Sequence, residues 1–242
     1  MGFKVLKFKK SSDRYILYKN WLKSKHTFSF SEYQDKEWDD FGSIRVINED
    51  IISANAGFDI HSHSNMEIIT IVLSGCITHK DSLNNSERIF SNEIQVMTAG
   101  SGISHSEMNQ DIEKCKLLQT WIYPKEMNLK PSYKKTFYKN QFGQISILDP
   151  SNKNQFLSIN QNLYLWRFIY KSPKKILVPK KIKTFNWIQV ITGQLTINDK
   201  KNKKLIHLYK GDGLGFKISN IKDINFKSKL NSDFLLFSME DL

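Results

Sequence analysis

The chain has 242 residues, 40% of them hydrophobic and 12% aromatic, enough apolar material for a folded core rather than a disordered segment. No run approaches the roughly eighteen apolar residues that a spanning helix requires, and two cysteines, Cys76 and Cys115, give no basis for a disulfide framework. A net charge of +12 raises nucleic acid or an anionic membrane as partners, yet only Arg14, Arg45, Arg88 and Arg167 among the 36 basic residues are arginine, the residue suited to bidentate phosphate and base contacts. The remaining lysines are scattered and read as solvated surface, so no specific nucleic-acid or membrane partner is expected.

Phe3–Phe8 alternates apolar and polar residues as a half-buried strand does. The opening MGFKVLKFKK has no apolar signal core followed by a small-residue cleavage site, so a cytoplasmic location is expected. Trp21–Phe30 carries His26, which has no partner at ligand spacing and reads as structural. Ile44–Ile52 has strand character, and Gly57 turns the chain toward His61 and His63. The apolar run Ile68–Leu73 ends at Ser74-Gly75, where a hairpin is expected, and Asn84-Asn85-Ser86 marks another turn. Ile94–Met97 is strand-like, after which Gly100-Ser101-Gly102 lets the backbone bend tightly before His105 and Glu107. Cys76 and Cys115 lie in apolar strand-like contexts and are expected to be buried and reduced.

The second half repeats this pattern without its histidines. A turn-rich stretch at Asp149-Pro150-Ser151-Asn152 precedes strands expected over Leu163–Tyr170, Trp187–Ile197 and Phe234–Ser238. Val190–Leu195 echoes Ile71–Cys76, but His207 is the only histidine there and no paired ligands exist. Short apolar runs separated by turns indicate a β-barrel or sandwich.

The chemistry gathers between residues 61 and 107. His61 with His63, and His105 with Glu107, are each separated by one residue, a spacing that points both side chains of a pair to one face of a strand. If the two strands fold back on each other, three imidazoles and one carboxylate converge. That donor set suits a divalent first-row ion such as Fe(II), Mn, Co, Ni, Cu or Zn, and no thiolate is offered that would select zinc or an iron–sulfur cluster.

The segments His61-Ser62-His63 with Glu67, His79-Lys80-Asp81-Ser82, and Met97-Thr98-Ala99-Gly100-Ser101-Gly102-Ile103-Ser104-His105-Ser106-Glu107 together resemble the metal-binding core of the pirin family of the cupin superfamily, in particular its bacterial quercetin 2,3-dioxygenase type. One departure is Ser62, where the family usually has proline. The resemblance spans nearly the whole chain. It implies an all-β bicupin, two jelly-roll-like barrels packed together, with residues 1–135 as the metal-binding domain and 136–242 as a cupin-like domain lacking ligands. It also implies one divalent ion per chain, with Fe(II) expected, held by His61, His63, His105 and Glu107. Glu67 is expected to orient a ligating histidine rather than bind the ion. The implied activity is cleavage of a flavonol such as quercetin by dioxygen with release of carbon monoxide, Glu107 accepting the flavonol's hydroxyl proton. The alternative from the same family is a metal-dependent regulatory protein that binds another protein and has no physiological catalysis.

Overall fold

A computed structural model describes residues 3–91, 93–137, 142–151 and 157–240. The chain begins with β1 (Lys4–Lys9), β2 (Tyr15–Tyr18), β3 (Leu22–His26), β4 (Ile44–Ile52), β5 (Ala56–His63), β6 (Glu67–Ser74) and β7 (Cys76–Asp81). Next come β8 (Ser86–Phe90), β9 (Glu93–Thr98), β10 (Ile103–Asn109), β11 (Cys115–Ile122), β12 (Ser132–Phe137), β13 (Gly143–Leu148) and β14 (Leu163–Tyr170). The remainder holds β15 (Lys174–Ile176), β16 (Phe185–Thr192), β17 (Gln194–Asp199), β18 (Lys204–Tyr209), β19 (Gly213–Lys217), β20 (Ile224–Ser228) and β21 (Ser232–Met239). Besides strands there are only short 3-10 turns among the described residues, and no helix is long and apolar enough to cross a membrane. The fold is the expected all-β bicupin.

Contacts divide the chain into two units, Tyr15–Lys139 with Leu157–Gln161, and Met1–Arg14 with Asn140–Phe156 and Asn162–Leu242. The first unit holds a seven-stranded sheet, β12-β9-β6-β11-β4-β3-β2, and a four-stranded sheet, β5-β10-β7-β8. The second holds a six-stranded sheet, β1-β19-β16-β21-β14-β13, and a four-stranded one, β15-β20-β17-β18. Two details differ from a simple division between residues 135 and 136. That point falls inside β12, which pairs along its length with β9, and β1 pairs with β19, so the N-terminal strand completes the second barrel.

Gly75 does not close a hairpin, contrary to expectation. β6 pairs with β9 and β11, whereas β7 pairs with β8 and β10, so the chain changes sheets at this glycine. The corner demands φ of +75°, and a Cβ would lie 2.8 Å from the Lys114 carbonyl oxygen, so only glycine fits without a shift. The second barrel uses the same device. The run expected as one strand over Trp187–Ile197 is broken at Gly193, φ +74°, with β16 in one sheet and β17 in the other. At the turn after β13, Asp149 accepts the Ser151 amide; Asn152 lies outside the described residues.

The interiors differ. The second barrel is filled by one apolar cluster that includes Trp166, Phe168, Phe216, Phe226 and Phe234, with the Phe168 and Phe234 rings stacked at 4.7 Å. In the first unit the buried apolar residues include one cluster around Ile52, Val72, Ile77 and Leu117 and another around Ile68, Met97 and Ile103. The same unit buries Thr70, His79, Gln95, His105 and Glu107. Burying polar groups is costly unless each finds a partner, which makes this layer the place to look for chemistry.

Candidate metal centre

Antiparallel pairing of β5 with β10 sets His61 opposite His105 and His63 opposite Ile103, with a register shift between His105 and Glu107. Three imidazoles therefore meet: ring centroids lie 4.5 Å apart for His61 and His105, 4.8 Å for His61 and His63, and 5.0 Å for His63 and His105. One donor atom from each lies within 4.8 Å of the others. Glu107 is not in that trio. It groups with His105 and His79 at the same mutual limit, so His105 belongs to both clusters.

Protonated imidazoles would repel one another here. Burial, then the His105 and His61 charges, lower His63 to about 4, with Glu107 opposing. Burial, then His61 and His79, lower His105 to about 3. Both rings are neutral at neutral pH and so able to offer a lone pair. His61 Nδ1 lies 2.7 Å from the Asp59 carbonyl oxygen, which can only accept, so Nδ1 carries the proton and Nε2 the free pair. His105 Nε2 is buried with no hydrogen-bond partner.

Glu107 is 2% exposed, and its carboxylate is held from the opposite sheet. Oε1 accepts the Gln95 amide at 2.5 Å and the Thr70 hydroxyl at 3.4 Å, while Oε2 accepts the Gln119 amide at 2.7 Å. Gln119 is itself oriented, because its Oε1 accepts the Trp121 indole N–H at 2.9 Å. Register explains the convergence: Gln95, Thr70 and Gln119 lie directly opposite one another on the adjacent strands β9, β6 and β11. Trp121 also sets its indole edge-on against the His63 ring at 4.7 Å and against Phe30 at 5.2 Å.

A family model described as Pirin matches residues 8–122, and one described as Quercetinase C-terminal cupin domain matches residues 146–239. A quercetin 2,3-dioxygenase of Escherichia coli is 35% identical over 240 residues, covering 97% of this chain and 99% of that protein. The chain belongs to the pirin family. Among solved structures, YhhW from Escherichia coli superposes with a TM-score of 0.89 at 33% identity, covering 98% of both chains. The bacterial pirin YhhW in complex with nickel(II) does so with a TM-score of 0.85 at 33% identity, covering 98% of this chain and 99% of that one.

Within this pirin fold, several residues take places that sequence reading did not foresee. Glu67 orients none of the histidines. Its Oε2 accepts the Thr98 hydroxyl at 2.7 Å, a second hydrogen bond comes from the Asn160 backbone, and burial pushes its pKa up to about 7 against those two bonds. His79, fully buried, is instead the histidine's neighbour: its Nδ1 lies 3.3 Å from His105 Nδ1, and its Nε2 lies 3.0 Å from Asp81 Oδ2. Tyr133 stacks on the His79 ring at 4.4 Å. Burial, then the charges of Glu87, Glu107 and Asp81, raises its phenol well above the ordinary value. His26 packs between Tyr15 and Phe30, in keeping with a structural role, and His207 is exposed beside Thr196. Both cysteines are buried and free, and burial pushes Cys115 up to about 12. Three converging imidazoles, an unpartnered buried ring nitrogen and a nearby fixed carboxylate fit one divalent ion that keeps open positions.

Proposed function

We propose that this pirin-family protein is a metal-dependent dioxygenase that cleaves flavonols such as quercetin with release of carbon monoxide. The observation that carries the reading is the convergence of His61, His63 and His105 beside a carboxylate fixed by two amides and a hydroxyl. In this reading His61, His63 and His105 would hold one divalent ion, Fe(II) in the cell, and Glu107 would complete the set through the one Oε2 lone pair left by Gln95, Thr70 and Gln119, so that its roles as ligand and as base alternate. Mn, Co, Ni, Cu and Zn are further ions that such donors accept. When bound, the ion supplies Lewis acidity toward a coordinated hydroxyl and a redox partner for dioxygen.

The chain's own residues do the rest. The flavonol presents a hydroxyl beside a carbonyl, and Glu107 takes the hydroxyl proton on Oε2, which accepts only the Gln119 amide and retains a lone pair. The Gln95 and Gln119 amides keep the carboxylate in place before and after the proton arrives, which removes the need to reorganise during the step. Trp121 and Phe30 give the flavonol rings an apolar wall and limit water at the reacting atoms. The candidate ligand clusters among the described residues lie in the first unit, which gives the second barrel a supporting role, and the scattered lysines favour a small aromatic molecule over a nucleic acid as substrate. Metal-loaded protein given quercetin in a closed vessel should consume oxygen and release carbon monoxide in equal amounts. A protein with its full complement of metal that consumes no oxygen would shift the reading to the protein-binding alternative.

A further inference from the structure

The hairpin joining β7 to β8 has an unusual degree of order at one carboxylate. Asp81 Oδ1 accepts the backbone amides of Leu83 at 2.9 Å and Asn85 at 3.0 Å, and the Asn85 side chain donates to both carboxylate oxygens, at 3.1 Å and 2.8 Å. Asn84, with φ of +67°, closes the turn around it. Burial favours the neutral acid here, but the bonds from His79, Asn85 and Leu83 together outweigh it and hold Asp81 below the usual carboxylate range. Every one of these amide bonds is accepted by the Asp81 carboxylate.

We propose that the Asp81 turn sets the tautomer of His105 through His79, so that Asp81 and His79 are positioning residues for the metal centre. The inference rests on the metal reading given above. Oδ2 of an acceptor-only carboxylate faces His79 Nε2 at 3.0 Å, which places the His79 proton on Nε2 and leaves the lone pair on Nδ1. That lone pair faces His105 Nδ1 at 3.3 Å, so His105 carries its own proton on Nδ1. The remaining nitrogen, His105 Nε2, is then a bare donor, and it is the buried ring atom with no partner in the protein. The side chains follow from register: His105 lies opposite Asp81 and Glu107 opposite His79 on paired β10 and β7. Tyr133, stacked flat on His79, keeps the ring from rotating out of line. A metal ligand whose distal nitrogen is tied to a carboxylate is both oriented and made more basic. Here the tie passes through a second imidazole.

The test reads tautomers directly. Long-range proton–nitrogen spectra of the metal-free protein, at a pH where the rings are neutral, should show His105 protonated on Nδ1 and His79 on Nε2. Asp81→Asn should reverse this: its Oδ1 stays on the backbone amides, its NH2 now faces His79 Nε2, and both rings must exchange their protonated nitrogens. Ni(II) affinity, measured by calorimetry, should fall about 10- to 100-fold in Asp81→Asn. His79→Phe, which keeps the ring stack on Tyr133 but has no nitrogen, should show a loss of the same size. A wild-type His105 protonated on Nε2 would overturn the proposal. So would Asp81→Asn and His79→Phe proteins that stay folded and bind Ni(II) as tightly as wild type. A wild type that binds no Ni(II) would remove the metal reading instead, while the tautomers would still decide the relay.

Discussion

Replacing Glu107 with glutamine removes a charge and a proton acceptor, but the structure shows that it does more. Both carboxylate oxygens accept an NH2 group, from Gln95 at 2.5 Å and from Gln119 at 2.7 Å. A glutamine offers one carbonyl oxygen, so with the Gln95 and Gln119 amides oriented as they are, one of them faces another NH2 group beside the buried residue 107. An unmet buried donor costs about 1–3 kcal/mol. For a chain of this size that lowers Tm by roughly 2–4 °C for each kcal/mol. Loss of the base should reduce flavonol turnover by about a hundred- to ten-thousand-fold, with metal retained on the three histidines. The double variant Glu107→Gln with Gln119→Glu separates the two effects. It restores one acceptor for each donor, since residue 119 would then accept from Trp121 and from residue 107. Its thermal stability should return toward wild type, while turnover stays low because the charge now sits on β11. A single variant that holds metal and turns over quercetin at full rate would refute the base assignment. A double variant no more stable than the single would refute the hydrogen-bond network.

Three further outcomes follow from other parts of the chain. Burial raises Glu67 from 4.5 to about 7, so the folded chain holds this proton more tightly than the unfolded one; the stability it contributes is present below about pH 4.5 and is lost as pH rises through about 7. Relative to Glu67→Gln, wild type should therefore lose roughly 3 kcal/mol across that window, read by denaturant unfolding at several pH values, and a flat difference would contradict it. Asp233→Ala removes the bidentate carboxylate from buried Arg167, bonded at 3.0 Å and 2.7 Å, and should cost about 3 kcal/mol in unfolding experiments while leaving metal content unchanged. Gly75→Ala forces a side chain against the Lys114 carbonyl at a positive φ, so it should lower Tm and yield of folded protein even though residue 75 touches none of the candidate ligands.

How much of this was legible beforehand depends on whether a feature lives within one strand or across several. The period of two along β5 and β10 was enough to place His61, His63, His105 and Glu107 on facing strands, and β4 and β14 run over the residues expected of them. Gly75 was misread because a hairpin and a change of sheet use the same local signal, an apolar run ending in a glycine with positive φ. Only the partners of β6 and β7 distinguish them. Gln95, Thr70 and Gln119 were passed over for a similar reason. Each is a polar residue near the middle of a largely apolar strand, and their common purpose appears when register lines them up with one another and all three side chains reach Glu107. That pattern, a polar residue near the middle of each of three largely apolar strands, β6, β9 and β11, was the available signal. Glu67 was given the orienting role by family analogy, whereas the spacing of His79 and Asp81 on one strand, followed by an Asn-rich turn, was the better physical clue.

The most direct test of the account is a metal titration of the purified, metal-free protein under anaerobic conditions, with each loaded sample then assayed for quercetin-dependent oxygen uptake. Activity should rise in proportion to added Fe(II) and stop rising at one equivalent per chain, and His63→Ala should show neither the tight binding nor the activity. Saturation at two equivalents, or no oxygen uptake at any loading of the wild-type protein, would contradict it.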